Sequence, residues 1–174
     1  MAILAKEGER KVIHLPPAKN MQAVCFDVWD LGLQATEFKG DKRVQRKIKV
    51  GFELNARIDS QDAFNGKRYR IFKDYTLSLG EKANLRKDLA AWLGRQLTAE
   101  ELKGGFDTES LVGTNCLLNI IHKSGQDGAP RAKVSAITAL LDGMAPIAAE
   151  TPRETPQWIA DVQARAVQPE TAAA

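Results

Sequence analysis

Between Ile48 and Ile58 every even-numbered residue is apolar: Ile48, Val50, Phe52, Leu54, Ala56 and Ile58. The odd positions are Lys47, Lys49, Gly51, Glu53, Asn55 and Arg57. A period of two cannot be laid along one face of a helix. It prescribes a strand with one side in a core and the other side turned outward. The outward side begins cationic, so this chain of 174 residues has to be built around a sheet with a basic surface strip.

Strand-like segments lie on both sides of this one. In "MQAVCFDVWDLGLQATEF", Met21 to Phe38, Val24, Phe26 and Val28 alternate with Cys25, Asp27 and Trp29. Gly32 interrupts the pattern, and a glycine within a strand often marks a bulge or bend. "KGDKR" reads as a turn. The loop "DSQDAFNGK" closes on Asn65-Gly66, a hairpin signal. A third strand follows, with Tyr69, Ile71, Tyr75, Leu77 and Leu79 in phase and Lys73 on that same face.

The period then changes. Leu85, Leu89, Trp92 and Leu93 share one helical face, with Ser78 and Glu81 at capping-box spacing before it and Gly94 suited to its end. Thr98 and Glu101 form a second box opening a shorter helical turn. "NCLLNIIHK" and "RAKVSAITALL" supply two further strands. The expected organisation is an extended lead-in over 1–20, a domain over 21–143, and a flexible tail over 144–174 with a short helix at 157–167. Strand, strand, strand, helix, strand, strand is the order of a five-stranded Greek-key OB barrel. The expected fold class is therefore all-β with one helix between strands three and four, plugging a barrel end through Leu85, Leu89 and Trp92. An α+β sheet with one packed helix is the main alternative; an SH3-like barrel has no helix of this length there.

Composition narrows the function. No apolar run approaches 18 residues and the N-terminus has no secretory core, so a cytoplasmic protein without membrane contact is expected. Cys25 and Cys116 sit in apolar runs and read as reduced, buried thiols. Neither stands at metal-ligand spacing from His14 or His122, so no metal and no cofactor are expected. There is no phosphate-binding GxxxxGK[ST] loop and no GxSxG. Asp27, Asp30, Glu53 and Asp74 follow no fixed spacing, which makes a metal-dependent nuclease the weakest reading and a non-enzyme the expected one. Net charge is only +3, but Lys39–Arg95 carries 15 basic against 7 acidic residues. A basic body of this kind fits a polyanionic partner.

"DLGLQ", "YTLSLGEKANLRKDLAAWLGR", "TAEEL" and "FDTESLVGTNCLLNIIHK" resemble a family of small phage and prophage proteins from replication and recombination modules, described as single-stranded-DNA-binding proteins. The resemblance spans roughly Pro17–Leu141 and implies sequence-tolerant binding of single-stranded DNA. The family's pattern has one glycine where this chain has Gly104-Gly105.

An OB barrel binds single strands across strands two and three and the loops joining strands one–two and four–five. That layout places Lys39, Lys42 and Arg43 in the first loop, and Arg46, Lys47 and Lys49 on strand two. It places Arg68, Arg70 and Lys73 on strand three, and Lys123, Arg131 and Lys133 beside the second loop. Phe72, Trp29 and Phe38 are the expected stacking platforms. In the tail, Trp158, Ile159 and Val162 read as a motif for a replication or recombination protein. An adaptor that acts through this tail is the alternative function. A homo-oligomer is compatible with these features, and the sequence sets no oligomeric state.

Overall fold

A computed structural model describes residues 12–168. The first eleven residues of the expected lead-in and the last six of the expected tail fall outside it. Five strands, β1 (Asn20–Phe38), β2 (Asp41–Arg57), β3 (Arg68–Thr76), β4 (Asn115–Ser124) and β5 (Pro130–Thr138), form one antiparallel sheet in the order β3-β2-β1-β4-β5. The sheet is open: β3 and β5 approach one another, but no ladder joins them.

The alternation in β2 does what period two requires. Ile48, Val50, Phe52 and Leu54 enter the main core with Met21, Ala23 and Cys25 of β1, Ile71 and Tyr75 of β3, and Leu118 and Ile120 of β4. β1 carries two irregularities, at Cys25/Asp27 and at Asp30/Gly32, the second where Gly32 adopts φ +73. Each adds a residue on one side of the ladder and bends the long strand. Past the second bulge, β1 and β2 run on as a two-stranded ribbon to a turn at Lys39-Gly40, whose φ values are +49 and +83. Two successive positive φ values give the turn whose twist matches that of its flanking strands.

Between β3 and β4 the chain forms α1 (Asn84–Leu93), α2 (Ala99–Gly104) and a 3-10 turn at Thr108–Leu111, in place of the single helix expected. Placement differs as well. α1 packs against β5 and β3, so it spans the opening between the two edge strands. Leu85, Leu89 and Trp92 point into the core, with the Trp92 ring 5.4 Å from that of Phe52. Ser78 and Glu81 do not cap α1; Ala83 stands at its N-cap, and the Ser78 hydroxyl accepts the Gly80 amide. Gly94 ends the helix in the left-handed region, and the Thr98–Glu101 box is fully formed on α2. No helix among the described residues is long and apolar enough to cross a membrane.

Cys25 and Cys116 are buried and unpaired with one another. Burial, with Asp27 nearby, pushes the Cys25 thiol up to about 12, and burial raises Cys116 too. A thiol reacts as its thiolate. Neither cysteine is therefore expected to react with Ellman's reagent at pH 8 in the native protein, and both should react once urea unfolds it. Rapid native labelling would contradict this packing.

Candidate nucleic-acid interface

The outward face of β1–β3 carries a second apolar cluster. Phe26, Trp29 and Leu31 of β1 are buried there, with Phe72 of β3 packed against them. Ring centroids lie 5.8 Å apart for Phe26–Trp29, 5.9 Å for Phe26–Phe72 and 6.0 Å for Trp29–Phe72. Gly51 of β2 is the floor between them. A Cβ on Gly51 would lie 2.8 Å from Phe26 Cζ and 3.1 Å from Trp29 Cη2. β1 and β3 thus present three aromatic rings over a glycine of the intervening β2, on the side opposite the core.

Residues 145–167, expected to form a flexible tail, lie across this face. The Asn115 side chain bonds both the amide and the carbonyl of Ile147. Arg68 donates to the Ala148 carbonyl at 2.8 Å. The Glu150 and Thr151 amides donate to the two carboxylate oxygens of Glu53, at 2.9 and 2.8 Å. Arg153 reaches Asp27 at 3.0 Å, and the Trp29 indole donates to the Glu154 carbonyl at 2.9 Å. The strap ends in α3 (Gln157–Ala164), which delivers Ile159, fully buried, into the Phe26–Trp29–Leu31 cluster. Trp158 packs edge-on to Phe72 at 5.0 Å and stays 42% exposed. Val162 packs beside Ile159. The three residues expected to meet another protein are therefore engaged within the chain.

Two carboxylates hold the strap. Glu53, 1% exposed, receives the two strap amides and Arg68. Burial alone would raise its pKa. The hydrogen bonds from Thr151, the Glu150 amide and Arg68 together outweigh burial and bring it below its ordinary 4.5. Asp27, 4% exposed, accepts from Arg153 and from the Val28 amide. The remaining carboxylates of the nuclease reading have partners of their own: Asp30 meets Arg46, and Asp74 meets Lys49. No cluster of three or more potential metal ligands occurs among the described residues.

The expected cations fall into four groups. Lys39, Lys42 and Arg43 are exposed at the end of the β1–β2 ribbon, where Phe38 is 73% exposed with the Lys39 ammonium 5.5 Å from its ring centre. Arg46, Lys47 and Lys49 follow along β2; Lys49 bonds Asp74 and stands 5.5 Å from the Trp158 ring centre. Lys123, Arg131 and Lys133 are exposed on the β4–β5 hairpin, with Arg131 paired to Asp127. On β3, Arg70 makes no ion pair among the described residues, whereas Arg68 is held by Glu53 and Glu150. Lys73 does not join these groups. Its phase matches that of Ile71 and Tyr75, and it bonds Asp88 of α1 at 2.6 Å on the helix side. Trp29, expected as an open platform, is 6% exposed beneath the strap.

Sequence reasoning singles out Gly51 as a place of close approach to the backbone, but misses Phe26 as its neighbour and the strap-anchoring roles of Asp27, Glu53 and Arg153. One signal is present. From Ala23 to Trp29 only Asp27 is polar, and a nearly continuous apolar run marks a strand buried on both faces. No known protein-family model matches the chain, and no curated protein matches it.

Gly51→Ala forces the Phe26 ring to move and should cost about 1–3 kcal/mol in urea denaturation, typical of overpacking; unchanged stability would show that the face is slack. Acid should loosen the strap. Glu53 titrates lower in the folded chain, so its contribution is complete above the ordinary 4.5 and is lost as pH falls through the depressed value. Amide exchange of residues 150–159 should rise in that acid range before far-UV circular dichroism reports loss of the sheet, and Glu53→Gln should produce the same loosening at neutral pH.

Proposed function

We propose that this protein binds single-stranded DNA without strong sequence preference, through the outward face of β1–β3 and the two basic hairpins beside it. The observation that supports this most is the triad Phe26, Trp29 and Phe72 over Gly51. Aromatic rings on a sheet face are what unstacked bases pack against, at about 1–3 kcal/mol per base. The glycine floor allows close approach. Arg70 borders the rings, Lys49 lies opposite Trp29 with Lys47 next in phase along β2, and the ribbon and the β4–β5 hairpin extend the cationic path on which phosphates would lie. Phe38, mostly exposed at the ribbon tip beside Lys39, fits a further stacking position.

The fold reading belongs to the same proposal. The order β3-β2-β1-β4-β5 becomes a closed ring if β3 meets β5, and that ring has the strand order of an OB barrel. In that view α1 wedges the seam of a partly open barrel. The resemblance to phage and prophage proteins of replication and recombination modules points the same way, with protection of single strands as the task. A second reading, an adaptor that binds protein, has one observation in its favour: the face already accepts a peptide, its own strap.

Fluorescence anisotropy with labelled oligo-dT tests the proposal. Affinity should fall steeply with salt, since each neutralised phosphate releases counterions. Lys47→Glu with Arg70→Glu should weaken binding at least about tenfold and lower the salt slope by about 0.7 for each phosphate no longer neutralised. Oligo-dT affinity and slope unchanged by that pair would sink the assignment of this face, and no binding at low salt would sink the function.

A further inference from the structure

We infer that the strap over residues 150–162 is a removable cover that occupies the strand-binding face, so that a single strand and the strap exclude one another. This inference rests on the function proposed above and deepens it.

The strap satisfies the face with the same chemistry that a strand would bring. Trp158 sets its ring edge-on to Phe72 at 5.0 Å, with the Lys49 ammonium 5.5 Å from its centre, and so fills the place that a base stacked on Phe72 would need. Glu150 places its carboxylate on Arg57 at 2.7 Å and near Arg68 at 3.6 Å, as a phosphate would. The anion and the aromatic ring, Glu150 and Trp158 at the start of α3, take up the cationic and the aromatic parts of the face that a nucleotide strand would use.

The attachment is of a kind that can be undone. No ladder joins the strap to the sheet; it is held by side chains and, at its far end, by the Val167 amide on the Leu33 carbonyl at 2.7 Å. Ile159 is its one fully buried apolar anchor. α3 is only eight residues long and has no side-chain cap. An isolated helix of that length is not stable in water, so α3 depends on the face it covers. Once the strap leaves, Asp27 and Glu53 return to water, which hydrates a carboxylate well, so no unpaired buried charge opposes release.

The fit is loose where a base would enter. A cavity of about 300 Å³ remains between strap and sheet, bordered by Phe26, Trp29, Arg70, Phe72 and Trp158. A second, of about 740 Å³, opens along the β3 side, where Lys67 and Arg70 face solvent-accessible space. Arg70 borders both. A strand arriving at Lys67 and Arg70 can therefore take the Phe72 edge first and displace Trp158 before Ile159.

Covering reduces apparent affinity by the fraction of molecules that are open. The full chain and a chain ending at Ala149 are compared for oligo-dT binding by anisotropy. Hydrogen exchange of the full chain is followed by mass spectrometry with and without saturating oligo-dT. The shortened chain should bind about tenfold more tightly or better. In the full chain, oligo-dT should speed exchange over 150–162 and slow it over β1–β3. If oligo-dT binds but 150–162 stays protected and truncation leaves affinity unchanged, the cover is overturned while the DNA-binding assignment stands. If neither chain binds oligo-dT, both fall. Should the shortened chain lose cooperative unfolding, exchange in the full chain decides alone.

Discussion

The structure turns on β1 being buried on both faces. From Ala23 to Trp29 no residue is exposed. An antiparallel sheet can leave one face in water, and here the middle of β1 does not. Its inward side packs against the core beneath α1; its outward side needs a second layer, which the strap provides. The polar residue in that run, Asp27, then requires partners in a place without water. It finds Arg153 from the strap and the amide of Val28. β2 beside it has the same character over Gly51–Leu54, where four consecutive residues are buried and Glu53 takes the part that Asp27 plays on β1.

The outward face is in consequence chemically mixed. Aromatic rings occupy its middle, carboxylates that hold backbone amides sit within it, and lysines and arginines mark its edges and the two hairpins beyond. A purely cationic groove would leave the strap amides of Glu150 and Thr151 without acceptors. A purely acidic one would repel phosphates. This face carries both cationic donors and carboxylate acceptors around its rings.

Much of the sheet was legible in the sequence because period two is local information. Ile48, Val50, Phe52 and Leu54 face the core as their spacing requires, and Gly32 falls at a bulge. Gly94 and the Thr98–Glu101 box do what their residue types favour. Ser78 and Glu81 had the right spacing but no helix to cap, since α1 begins only at Asn84. Lys73 fell in the core phase and looked like a break in the pattern; it is explained by Asp88, fifteen residues away on α1. The strap was illegible for a stronger reason. Its anchors pair Asp27 with Arg153 and Glu53 with Glu150 and Thr151, separations of about a hundred residues or more that no local spacing encodes. An Ala-, Pro- and Glu-containing segment reads as linker on composition alone, and only the apolar run in β1, broken by Asp27 alone, hinted that something must cover that strand.

Because the strap follows all five strands in the sequence, order of synthesis matters. All five strands have been made by Thr138, and domains tend to fold from the N-terminus as the chain emerges. The sheet can therefore assemble while its cover is still being polymerised, leaving Phe26, Trp29 and Phe72 uncovered on the nascent chain. For that interval the nascent protein exposes an aromatic face that the folded one covers, and the arrival of residues 150–162 ends it.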